Sequence, residues 1–136
     1  MQTMNLTADR NTPQRDGELV PVPVGAGVKI YAGGIVAANA AGYAVPGAAS
    51  TTLTYLGRAE EQVDNSGGGD GAQEVLVHRL LAFKFANSAG DPVTQASLGK
   101  PCYIEDDQTV AKTDGTSTLS PAGIVIGIDS DGVWVQ

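Results

Sequence analysis

Apolar and polar positions alternate in short bursts along most of this chain, and glycine or proline interrupts each burst before a helix could complete its turns. In "ELVPVPVGAGVKIYAGGIV" the prolines Pro21 and Pro23 stand two apart and so face one way along an extended strand. Proline cannot donate to an inner ladder, which predicts a sheet edge there. A second strand is predicted over Thr51 to Ala59, rich in β-branched and aromatic residues. In "EVLVHRLLAFKFA" the set Val75, Val77, Leu81, Phe83 and Phe85 fills one alternating face, spoiled by Arg79. That count favours one long strand over a helix. The stretches Gln62 to Gln73, "NSAGDPVTQASLGKP" and "KTDGTSTLSPAG" read as loops, the first as a flexible one.

Two stretches share a turn spacing. Laid without gaps on "VIGIDSDGVWV", the stretch "IVAANAAGYAV" places Asn39 on Asp129, Gly42 on Gly132 and Val45 on Val135. Asx at the first position of a type I turn and a left-handed glycine at the fourth predict a hairpin at both places. The likeness fits either a duplicated hairpin or common turn chemistry used twice. "CYIEDDQTVA" has an acidic corner without glycine. The whole reads as all-β: a small antiparallel β-barrel or β-tulip built from hairpins, over residues 18–136.

Residues 1–17 lack a hydrophobic period and read as a flexible, extended arm. Within it Met4 and Leu6 alternate with polar neighbours, as a short added strand would. The core is thin: Leu, Ile, Val and Phe number 31 of 136 residues, and 18 glycines contribute no side chain. Such a domain gains from burial against a partner.

Charge narrows the function. A formal net charge of -7, with eight Lys and Arg that never cluster, offers no basic stripe for nucleic acid. No apolar run approaches membrane-spanning length, and the first residues lack a secretory signal pattern, so the expectation is a protein made in the cytoplasm with no membrane partner.

Candidate chemistry is sparse. His78 is the one histidine, and none of Ser66, Ser88, Ser97 or Cys102 sits in a nucleophile signature. A zinc site would need carboxylates brought to His78. "DSDG" stops short of an EF-type Ca²⁺ loop, and "DNSGGGDG" is a single copy of a turn that binds Ca²⁺ only in stacked repeats. Cys102 reads as an inert buried thiol. The expectations are therefore no enzyme, no metal and no cofactor.

From "PCYIEDDQTVA" through "SPAGIVIGIDSDGVWVQ" the chain resembles the C-terminal part of the capsid cement, or head decoration, proteins of tailed bacteriophages, and "AGGIVAANAAGYAVPG" is similar to hairpins that precede it in that family. The resemblance implies a structural virion protein that binds the outside of an expanded icosahedral head. It further implies the major capsid protein as partner, self-association as a homotrimer, and no enzymatic activity. On that reading the arm attaches to a capsid edge through Met4, Leu6, Arg10 and Arg15. A tail-tip or fibre-associated module that binds a host surface or glycan is the alternative.

Overall fold

The computed structural model describes residues 5–15 and 17–136. Among the described residues twelve strands are formed: β1 Leu19–Pro23, β2 Lys29–Ile30, β3 Ile35–Ala38, β4 Ala44–Pro46, β5 Thr54–Ala59, β6 Val63–Asp64, β7 Glu74–His78, β8 Phe83–Asn87, β9 Pro101–Ile104, β10 Thr109–Ala111, β11 Pro121–Asp129 and β12 Gly132–Val135. One 3-10 turn, Gln95–Ser97, is the only helical element among the described residues. The fold is all-β.

The strands divide into an open sheet in the order β1-β7-β5-β3-β4, a closed ring β10-β8-β12-β11-β9, and the small pair β2-β6. Every pairing between strands is antiparallel except β10 with β8. As its prolines require, β1 lies at an edge, with Pro21 and Pro23 turned to solvent and Val20 and Val22 turned inward.

The long strand expected over Glu74 to Ala86 is broken. β7 belongs to the open sheet and β8 to the ring, and between them Leu80 takes a left-handed φ of 69°. The odd-numbered phase survives the break: Val75 and Val77 are buried in one core and Phe83 and Phe85 in another. Alternation alone therefore could not reveal that the chain changes sheets at Leu80.

The buried apolar residues form two cores. Val24, Ile30, Val36, Val75 and Val77 pack in one cluster, and Phe85, Val93, Ile104, Val110, Val125, Val133 and Val135 in the other. Strand β3 serves both, because successive side chains point to opposite faces: Ile35 and Ala37 join the ring core and Val36 the second cluster. The uninterrupted apolar run "IVAA" is the sequence mark of that double burial.

The stretch from Gln62 to Gln73 is held in place rather than loose. Asn65 is 2% exposed, and its side-chain amide donates to Gly25 O at 2.8 Å and Gly69 O at 3.0 Å. Its backbone N–H donates to Val28 O at 2.9 Å, and its carbonyl accepts from Gly27 and Gly68. Asp70 Oδ1 accepts from the Ala26 N–H at 2.8 Å. A buried carboxamide that satisfies several backbone carbonyls orders a glycine-rich loop whose composition alone points to disorder.

Candidate functional site

The terminal hairpin presents the most distinctive surface. Val125, Val133 and Val135 point into the ring, so their neighbours Ile124, Ile126 and Trp134 point out, 41, 47 and 37% exposed. The register of β11 against β12 shifts between Val125 and Gly127, which places Ile126 in a bulge and sets Trp134 opposite Gly127. The Trp134 ring lies against Gly127, and its Nε1–H donates to Asp129 Oδ2 at 2.9 Å. On the neighbouring strand β8, Lys84 Nζ lies 5.8 Å from the Trp134 ring centroid and 2.9 Å from Asp131 Oδ2. Hydrogen bonding to Lys84 holds the Asp131 carboxyl below its ordinary pKa, and the same bond raises the Lys84 amine. Leu98, also exposed, precedes Gly99, whose N–H bonds to Val125 O. The result is an apolar outer face with one anchored indole and a charged border.

The turn residues behave differently at the two hairpins. Gly42 has φ 89°, its N–H donates to Asn39 O at 2.9 Å, and Asn39 Oδ1 accepts from the N–H groups of Ala41 and Tyr43 at 3.0 Å each. This is the expected turn. Gly132 departs from it: it is not among the left-handed residues, and it pairs directly with Asp129 across the two-residue turn Ser130–Asp131. Space, not φ, demands glycine there, since a Cβ at 132 would lie 2.8 Å from Phe85 O and 2.7 Å from Lys84 Cγ. Asp129 likewise engages the Trp134 indole rather than its own turn.

Of the arm residues, Met4 lies outside the described residues. Leu6 is 73% exposed, Arg15 is exposed, and Arg10 donates to Thr12 Oγ1 at 2.7 Å. No strand forms in residues 5–15, so the added strand expected around Leu6 has no partner within the described chain.

The structure does bring carboxylates to His78. Its Nδ1 lies 3.1 Å from Glu60 Oε2 and its Nε2 3.4 Å from Glu18 Oε1, while Arg58 binds the same Glu60 oxygen at 2.7 Å and stacks 4.7 Å from the Phe83 ring centroid. The Arg58 bond, and then that from His78, lower the Glu60 pKa. This network ties the start of β1 and the end of β5 to the end of β7. Among the described residues no group of His, Cys, Asp or Glu is arranged to hold a metal ion.

The candidate nucleophiles point elsewhere. Ser66 Oγ bonds to Asp64, Ser88 Oγ donates to Glu105 Oε1 at 2.6 Å, and Ser97 Oγ accepts from the Thr94 N–H. Cys102 is fully buried, its thiol pushed up to about 12 by desolvation, with Sγ 3.5 Å from Gly123 O. A thiol so shifted is a packing group.

Comparison with protein-family models, with curated proteins and with solved structures finds no match.

Proposed function

We propose that the chain is a structural binding module of a tailed-phage head, a cement or decoration protein that attaches to the outer surface of the expanded shell. The observation that carries the reading is the outward apolar face of the terminal hairpin, Ile124, Ile126 and Trp134, on the stretch whose sequence resembles that family. Exposed aromatic and aliphatic anchors with charged borders suit a protein partner, because central apolar residues supply most of the binding energy and the border sets register. The exposed arm with Leu6, Arg10 and Arg15 offers a second contact. The partner on this reading is the major capsid protein, with further copies of the chain completing a trimer.

Cosedimentation with expanded, undecorated heads tests the proposal. Full-length protein pellets with the heads; removal of residues 2–16 sharply reduces the bound fraction while circular dichroism stays unchanged. Trp134→Ala lowers it on the order of tenfold or more, as loss of a hot-spot aromatic does. Absence of full-length protein from the pellet refutes the reading. Undiminished binding by the truncated protein moves the contact to the strands alone.

A further inference from the structure

A cavity of about 360 Å³ opens between the turn that follows β2 and the turn between β9 and β10, lined by Tyr31, Ala32, Gly33, Gly34, Asp107 and Gln108. Its walls are fixed by hydrogen bonds from backbone N–H groups. Ile35 N–H donates to Asp107 O at 2.8 Å, Gly34 N–H to Tyr31 O at 3.2 Å, and Gln108 N–H to Asp106 Oδ1 at 2.9 Å. The polar groups on those walls make no side-chain hydrogen bonds: among the described residues, none engages the Tyr31 hydroxyl, the Asp107 carboxylate or the Gln108 carboxamide. Tyr31 is 55% exposed and Asp107 half-buried. A pre-formed pocket that combines an aromatic face with a few unspent polar groups has the anatomy of a small-ligand site.

Charge selects among ligands. Asp107 and the net charge of -7 disfavour an anion. An aromatic ring beside a carboxylate would suit an ammonium ion, but Lys29 Nζ already stands 5.1 Å from the Tyr31 ring centroid and repels a second cation. Among neutral ligands, a ring with one apolar face and several hydroxyls matches an aromatic wall beside a carboxylate and a carboxamide. A pyranose stacks its C–H face on an aromatic ring while neighbouring hydroxyls donate to a carboxylate and exchange hydrogen bonds with a carboxamide.

We infer that the Tyr31–Asp107–Gln108 pocket binds a neutral saccharide unit. The inference goes beyond attachment to a shell and stands on residues separate from the terminal hairpin and the arm.

Titration of ¹⁵N-labelled full-length protein with the methyl glycosides of glucose, galactose, mannose and N-acetylglucosamine, followed through backbone amides, tests it. At least one glycoside shifts Gly33, Gly34 and Gln108 together, saturating at roughly millimolar concentration as a single small ring does. Tyr31→Ala and Asp107→Ala each weaken that binding by about tenfold or more, with the remaining amides unmoved. Choline is the charged control. No coherent shift with any glycoside overturns the inference, as do shifts that persist unchanged in both variants, or a response to choline alone.

Discussion

The hairpins at Asn39–Gly42 and Asp129–Gly132 carry the same Asx-x-x-Gly spacing, yet one residue separates their registers. In the first, Asn39 pairs with Tyr43 around Ala40, Ala41 and a left-handed Gly42; in the second, Asp129 pairs with Gly132 around Ser130 and Asp131. A one-residue slip exchanges the two faces of a strand. Ala44 is accordingly buried, whereas Trp134, which aligns with it, faces out. The neighbours account for the difference: β4 is the last strand of the open sheet, whereas β12 is held on both sides, by β11 and β8, with Val133 and Val135 committed to the ring core. Turn spacing states that a hairpin exists, and the packing on either side decides which turn closes it.

The strongest way to break this comparison is Gly132→Val. The added side chain meets a strand carbonyl that cannot retreat without parting β12 from β8, so urea denaturation should show a loss of about 3 kcal/mol, the upper end for overpacking. Gly42→Ala adds a Cβ with nothing within 4 Å and brings only left-handed strain. Its cost is about 1.5 kcal/mol by the same measurement. A larger loss at Gly42 than at Gly132 would reverse the assignment of causes.

Asn39→Ala removes an acceptor shared by two turn N–H groups and should cost about 1 kcal/mol. Asp129→Ala instead releases the Trp134 indole, and a change in tryptophan fluorescence with little change in the denaturation midpoint is the expected readout. The smallest effect belongs to the Lys84–Asp131 pair. Asp131 has a depressed folded pKa, so its contribution is present above the ordinary carboxylate range and is lost as pH falls through the folded value. Lys84 has a raised one, so its contribution is present below the ordinary lysine range and is lost as pH rises through the folded value. Lys84→Met should flatten the acid-side slope of stability slightly, and added salt should do the same to the parent protein.

Much of this architecture was legible in residues that act locally. Pro21 and Pro23 marked an edge, and Asn39 with Gly42 a turn, because each depends on backbone chemistry within a few positions. What stayed hidden depends on distant partners. Nothing near Leu80 announces a change of sheet; Asn65 acts through carbonyls of the Val24–Gly25 segment; and the need for glycine at 132 comes from Phe85. The exposed face of the terminal hairpin depends on the ring as well, since the run "GIVIGID" does not say which of its residues turn inward until Val125 packs with Val133 and Val135. The pocket at Tyr31 and Asp107 was invisible because those residues belong to turns far apart in the chain.

Strand β3 gives one side chain to each core in turn, with β5 and β4 bonded along its edges. Neither half of the protein can therefore open without stripping the wall of the other, and the two clusters are bound into a single cooperative unit. In hydrogen-exchange terms, the ladder amides of Val36 and Ala38 report global unfolding, whereas those of the β11–β12 turn report only local fraying. Whatever holds the outer face of that terminal hairpin grips strands anchored in the ring core by Val125, Val133 and Val135, and only the turn at their tip adjusts.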